Sequence, residues 1–391
     1  MAGPRQTGGI GGMFDDRLDV RPPLTNEQLG EIPAKRGVFL LAGEEDHPIL
    51  LATAASLRAR LRGRLDEPDP QETKRSADLR AVTRAVYWKL AGSHFEMDWR
   101  YLELARSIWP KTYTKLLSWR PAWFVHVDPR GAPPHFVRTR EVFASGGEYL
   151  GPFDGARSAD RFIEAIQDAF DLCRDLQRLR RSPRAERCAY GQMGRCLCVC
   201  DGSVPMDAYR EVVAAAAAFA AGRRQDRRNQ LQRRMRAAAA ELQFERAAAV
   251  KARLERLGEL DDPVYRHVRP ARDFRFLMLQ RSGSRTKVSV FLVDRGSVAG
   301  ARPLVYPLAR EQVKRRLGRM ARFVAAGDRR RGVPADRWRI GLVARTLFSG
   351  ERQRGLVLHW HEGMGPEDVS AAVEAAAGPL GLSRARDKAQ E

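Results

Sequence analysis

Apolar positions along this chain change their period several times, and each change marks an element. At 36–42, "RGVFLLA", and at 47–53, "HPILLAT", compact apolar runs predict two strands joined by a turn at Glu44–Asp46. The next stretch, "AASLRARLRGRL", places leucines at helical spacing with arginines between them and predicts a basic helix. "FEMDWRYLELARSIW" carries aromatic and aliphatic residues at the same spacing and is stopped by Pro110. "SADRFIEAIQDAFDLC" predicts a helix after a Gly-Pro turn, with Ser158 as its N-cap. From 206 to 260 the chain is Ala-, Arg-, Glu- and Leu-rich without an internal proline, so it reads as helix broken at Gly222. Beyond it, "FRFLMLQRSG" and "TKVSVFLVDRG" are apolar strand runs joined by a Gly-containing turn, and strand returns at "RGLVLHWH".

These shifts divide the chain into a flexible Gly-rich lead-in at 1–32 and four zones, 33–125, 145–205, 206–260 and 263–391. The fold class they predict is multidomain: an α/β first zone, a cysteine-bearing module, a helical zone and an α+β C-terminal zone.

Charge narrows the function. Lys and Arg number 69 against 48 Asp and Glu, a formal net charge of +21, which favours a polyanion such as DNA as partner. "MAGPRQTGGIGGMFDD" lacks the apolar core of a secretory signal, and the run "VVAAAAAFAA" is too short to span a bilayer. The expectation is a cytoplasmic protein with no membrane association and no evident small-molecule substrate.

Cysteine usage adds chemistry. Cys173, Cys188, Cys196 and Cys200 follow the spacing C-x14-C-x7-C-x3-C, with Cys198 inserted. A reduced compartment and an odd total of five argue against a disulfide framework. Thiolates can close a zinc site or hold an iron–sulfur cluster, and the bland alternative is small buried packing groups. Gly191, Gly194 and Gly202 would let the loop bend round a metal, and Arg187 and Arg195 would offset thiolate charge.

In order, "IPAKRGVFLL", "ILLATAASLRARL", "EYLGPFDGARSADRFIEAIQDAFDLC" and "CAYGQMGRCLCVCDG" resemble successive motifs of the UvrC family, the nuclease subunit of bacterial nucleotide excision repair. The resemblance runs from about residue 33 to about residue 306. It implies a GIY-YIG-like α/β domain at 33–125. It also sets Cys173, Cys188, Cys196 and Cys200 on the family's four cysteines, as ligands of an iron–sulfur cluster of the 4Fe–4S type, with zinc as the alternative. "LQRRMRAAAAELQFERAAAVKARLERL" resembles the UVR motif, a helical hairpin at about 228–258 through which a UvrB-like protein would dock. Leu231, Met235, Leu242, Val250, Leu254 and Leu257 can line one helical face, with Phe244 beside the turn "ELQFERAA". So small a hairpin buries little alone, and a partner helix pair would complete it.

The nuclease motif is where the chain departs from that family. A GIY-YIG site needs a carboxylate for its hard metal ion, with tyrosines, a lysine and an arginine near the phosphate. Here Phe39 and Leu50 stand at the tyrosine positions, Ala52 at a glycine, Thr53 at the lysine and Tyr101 at the metal-binding glutamate. Arg60 alone is retained. Glu96 and Glu103 are displaced carboxylates, and Glu103 would point some 200° round the helix from the expected position. Arg58, Arg60, Arg62 and Arg64 could still grip DNA phosphates.

In the C-terminal zone "HWHEG" sets His359 and His361 on one side of an extended segment, flanking Trp360 and followed by Glu362. The resulting expectation is a UvrC-like DNA-binding accessory protein of excision repair that lacks GIY-YIG cutting. The rival is an active metal-dependent DNA endonuclease of the same type.

Overall fold

The computed structural model describes residues 9–65, 79–142, 146–222, 224–300, 302–331, 336–361 and 363–384. The first unit is a four-stranded antiparallel sheet of β1 (Asp16–Asp19), β2 (Gly37–Ala42), β3 (Pro48–Ala54) and β4 (Ala85–Leu90), in the order β1-β4-β2-β3. Helices α1 (Asn26–Glu31) and α2 (Leu57–Leu65) cover one face, where Leu29, Leu57 and Leu61 meet Phe39, Leu41 and Trp88. Helix α3 (His94–Ile108) covers the other, with Met97, Leu104 and Ala105 against Val38, Leu40 and Tyr87. Strand β2 is buried along its whole length because helices press on both sides, which is why its sequence runs apolar without alternation.

Residues 16–31, expected to be flexible, are part of this unit. Strand β1 pairs with β4 from Asp16↔Trp88 to Asp19↔Ala85, and Thr25 closes a capping box with Gln28 at the start of α1. The sequence "DRLD" hides the strand because an edge position carries charges where a central strand carries valines.

The second sheet has the order β6-β5-β7-β8, from β5 (Trp123–Val127), β6 (Phe136–Thr139), β7 (Glu148–Phe153) and β8 (Arg269–Pro270). Strand β5 therefore lies outside the first unit, although its sequence was grouped with 33–125. Helix α4 (Ala156–Phe170) packs Phe162, Ile166 and Phe170 into this unit's core. Ser158 is not its N-cap: Gly155 occupies that place, and Ser158 sits at the third helical position, where its hydroxyl accepts the Gly155 N–H at 3.3 Å. After α4 come α5 (Leu176–Arg180), α6 (Ala189–Gln192) and α7 (Met206–Ala220). Gly222, at φ +113°, then separates α7 from α8 (Arg224–Ala240), and α9 (Phe244–Glu259) completes the helical hairpin.

The third sheet runs β11-β10-β9-β13, from β9 (Arg275–Arg281), β10 (Lys287–Asp294), β11 (Ser297–Gly300) and β13 (Leu356–His359), with β12 (Leu304–Val305) paired to β10. Alternation along β9 sorts its two faces. Leu277 and Leu279 meet α10 (Arg310–Arg331) and α13 (Pro366–Ala375), the latter followed by α14 (Ala377–Leu380). Phe276 and Met278 meet α11 (Arg337–Leu347), which leads into α12 (Glu351–Arg354), and also meet Phe95 and Leu102 of α3. One helix, α3, thus serves two sheets.

Candidate functional site

The positions where nuclease chemistry was sought do not converge. Phe39 is fully buried in the core under α1 and α2, and Leu50, paired with Leu41, packs into the same core. Thr53 pairs with Val38 and so lies on the α3 side. Tyr101 is half-buried there, its hydroxyl donating to the Leu116 carbonyl at 3.1 Å, and burial pushes its pKa up. Neither displaced carboxylate is free. Glu103 holds Arg339 through two bonds of 2.7 Å, while Glu96 accepts from the Gly92 N–H at 2.7 Å and from Arg100 at 2.6 Å.

The arginines of α2 divide. Arg58 donates to the carbonyls of Ile32 and Gly30 at 2.8 and 2.9 Å, and so ties α2 to the end of α1 rather than facing a ligand. Arg64 is half-buried, whereas Arg60 and Arg62 are exposed.

The cysteine module is built on the end of α4. Asp171 there takes a left-handed conformation and accepts the Leu197 N–H through its carbonyl, which brings the cysteine loop back beside Cys173. The Cys173 N–H in turn donates to the Tyr209 hydroxyl of α7 at 3.1 Å. The Cys173 thiol hydrogen-bonds to Cys196, which holds Cys173 protonated and moves Cys196 toward thiolate. Burial pushes the Cys200 thiol up, and the nearby sulfurs of Cys196 and Cys188 add to that. Cys198 packs beneath the loop, its sulfur 2.7 Å from where a Cβ on Gly191 would stand, so Gly191 has to be glycine. All five thiols are free.

The cations expected to balance these thiols also pair with carboxylates, although Arg187 still draws the Cys198 thiol down against the burial that pushes it up. Arg187 pairs with Asp201 at 2.8 Å and Ser203 at 2.7 Å, and Arg195 pairs with Asp168 at 3.1 Å. Asp168 also takes Arg174 and, at 2.9 Å, Arg256 of the hairpin, while Asp171 takes Arg253 at 3.0 Å. Two aspartates one turn apart thereby lock α4, the cysteine loop and α9 together. The cation that favours the Cys196 thiolate is Arg174. Sequence reasoning missed these aspartates, and their only signal is a pair of acidic residues at the end of an amphipathic helix. Among the described residues no three or more Cys, His, Asp or Glu form a preformed metal cage. The donor chemistry nevertheless suits a soft metal: grouped thiols, one already drawn toward the anion that a metal needs.

The hairpin residues expected to face a partner split into two sets. Leu231 and Leu257 are fully buried against the α4–α7 core, Val250 is nearly so, and Met235 and Leu254 pack partly on it. The hairpin therefore completes its own core with its own chain. Leu242 and Phe244, at the tip, are 72% and 66% exposed.

His359 and His361 make no common site. The His359 ring lies 5.0 Å from that of Phe276, its Nδ1 buried without a partner, while His361 is exposed beyond the end of β13. Trp360 packs into the third unit's core, and Glu362 lies outside the described residues.

With this geometry in place, comparison with known proteins gives two family matches. The family described as UvrC/Cho excinuclease, middle domain, matches residues 122–219, from the start of β5 through α7. The UvrB/uvrC motif matches residues 225–260, the α8–α9 hairpin. The UvrABC system protein C of Desulforudis audaxviator is 28% identical over 283 residues, 71% of this chain and 44% of that protein. Its counterpart in Moorella thermoacetica is 26% identical over 278 residues, covering 70% and 44%. That of Leptospira biflexa is 27% identical over 237 residues, covering 60% and 37%. The chain is UvrC-like. It spans less than half the length of the curated relatives it matches. No solved structure matches it. The UvrC-type middle domain is thus the second sheet with its helices and cysteine loop, and the UVR motif is the hairpin locked to it by Asp168 and Asp171. Among the described residues no helix is long and apolar enough to cross a membrane.

Proposed function

We propose that this UvrC-like chain acts in nucleotide excision repair as a DNA-binding accessory protein of the cytoplasm, and that its first unit is a GIY-YIG-like domain that no longer cuts. One observation carries the reading. The residue at the metal-binding position and the two displaced carboxylates are each already bonded within the chain: Tyr101 to Leu116, Glu103 to Arg339, and Glu96 to Arg100 and Gly92. A magnesium ion needs free oxygen ligands in near-octahedral array, and these three side chains are committed to other partners.

Cys173, Cys188, Cys196 and Cys200 would hold an iron–sulfur cluster, or zinc in its place. Bound there, the group would supply a rigid electrostatic centre for the loop. The chain's own residues seat it: Tyr209 fixes the Cys173 backbone, and Asp168 keeps Arg195 and Arg174 on the loop. The exposed Leu242 and Phe244 at the hairpin tip support docking of a UvrB-like partner through the UVR motif.

A nicking assay on lesion-bearing duplex tests the reading, with anaerobically purified full chain, magnesium or manganese, and UvrB present or absent. Binding without incision is expected. Metal-dependent incision that disappears in a Glu96→Gln, Glu103→Gln double variant would overturn it.

A further inference from the structure

A cleft of about 1170 Å³ lies between the first and third units, walled by the loop before α3, the β9–β10 turn and α12. Six cationic side chains line it, Lys35, Arg36, Arg100, Arg281, Lys287 and Arg352, against two carboxylates, Glu96 and Glu351. The partners of these groups decide what the cleft can bind. Arg100 is neutralised by Glu96 at 2.6 Å. Glu351 lies 4.0 Å from Arg354. Among the described residues no carboxylate pairs with Lys35, Arg36, Arg281, Lys287 or Arg352.

Arg36 is the most exacting of the five. Among the described residues its guanidinium makes one polar contact, to His94 Nε2 at 3.1 Å, and its Nε is buried without a partner. Burial, then the neighbouring charge of Arg281, presses its pKa down against the opposing pull of Asp98. The walls are fixed. Ser282 Oγ stands 2.1 Å from where a Cβ on Gly92 would lie, which closes the floor, and buried Gln280 donates to the carbonyls of Gln353 and Arg354, which sets the segment bearing Arg352. The N-terminus of α3 also opens here, but Ser93 caps it by accepting the Glu96 N–H at 3.2 Å and the Glu96 carboxylate stands in its first turn, so the helix end is not what recruits a ligand.

Like charges held together on rigid walls, outnumbering the carboxylates beside them, lower their energy by taking an anion with several charges in a row. The lining holds no Phe, Tyr or Trp on which bases could stack. We propose that this cleft holds the phosphodiester backbone of one nucleic-acid strand, read through charge and not through sequence. The proposal rests on the DNA-binding reading above and moves its seat from the α2 arginines to the cleft.

The test is a salt titration of binding by the full chain, with single-stranded and duplex DNA of equal length. The variant is Arg281→Ala, Lys287→Ala, Arg352→Ala, all three side chains being exposed, so that folding is spared. The control removes equal charge from exposed sites elsewhere, Arg233→Ala, Lys314→Ala, Arg319→Ala. For the cleft variant, a loss of affinity on the order of tenfold is expected. The slope of log affinity against log salt should become shallower by about two on single strands. Loss on either polymer supports the proposal, and the polymer that loses more shows whether the strand enters free or as one edge of a duplex. Equal losses in variant and control would overturn the proposal and leave the DNA-binding reading standing. Failure of the wild-type chain to bind DNA at all would overturn both.

Discussion

Single residues in this chain are most informative where burial has removed their usual partners. His267 and His359 lie near one another between the second and third units. Arg266, Arg269 and Arg354 face His267, and Arg269 faces His359. Burial, then the neighbouring cations, holds each of them down to about 4. Arg266 Nε donates to His267 Nε2, which requires that ring to be neutral. A histidine whose folded pKa lies below its ordinary 6.5 gives stability that is complete above 6.5 and is lost as pH falls through the folded value. The protein should therefore lose stability between about pH 7 and about pH 4.5, and a His359→Leu variant should lose less over the same span. With partial exposure discounted, the difference should be on the order of 1 kcal/mol, read from urea midpoints at the two pH values. Identical pH dependence in the two proteins would rule out His359 as a contributor. Neither this pairing nor the Tyr101–Leu116 bond could be read from sequence. The first depends on elements distant along the chain, the second on how the segment after α3 folds back on it, and a lone histidine or tyrosine gives no sign of what will lie against it.

Elements, by contrast, were largely legible. Strands β2, β3, β9 and β10 and helices α2, α3 and α4 follow directly from apolar period, because each buries at least one continuous face. What escaped were elements whose stability is borrowed. The edge strand β1 has a polar sequence and owes its place to β4, and the two-residue β8 owes its place to β7. The α8–α9 hairpin was read correctly as a hairpin and wrongly as one short of cover, since α4 and α7 of the same chain supply it. This separates two roles within one motif. Leu231→Ala should cost roughly 2–5 kcal/mol by leaving a cavity in the core. A Leu242→Ala, Phe244→Ala variant should stay within about 0.5 kcal/mol of wild type and yet lose UvrB capture. Chemical denaturation and a pull-down with purified UvrB read the two properties. Retained capture by the tip variant would mean that docking uses another face.

For the whole molecule, the decisive fact is that α3 is shared. Its Met97, Leu104 and Ala105 complete the first sheet's core, while Phe95 and Leu102 belong to the core of the third unit, with Trp99 edge-on to Phe291 at 6.0 Å. Charged contacts repeat the link across the same boundary, from Arg106 to Asp336 at 2.6 Å, from Glu103 to Arg339 and from Asp98 to Arg345 at 3.2 Å. Two sheets that share one helix cannot be separated without exposing a core face, so the first unit is not an independent domain. A fragment of residues 9–121 keeps β1 to β4 and α1 to α3 but uncovers Phe95, Trp99 and Leu102 and leaves Glu103 and Asp98 without their arginines. Burial of three such side chains is worth roughly 1.5–3 kcal/mol each, comparable with the whole stability of a domain this small. The fragment should therefore aggregate or bind a hydrophobic dye, where the full chain stays monomeric and unfolds with its first and third units together. Size-exclusion chromatography and dye fluorescence on both proteins would decide it. A soluble, monomeric, cooperatively unfolding fragment would show that α3 belongs to the first unit alone, and that the cleft between the units is free to open.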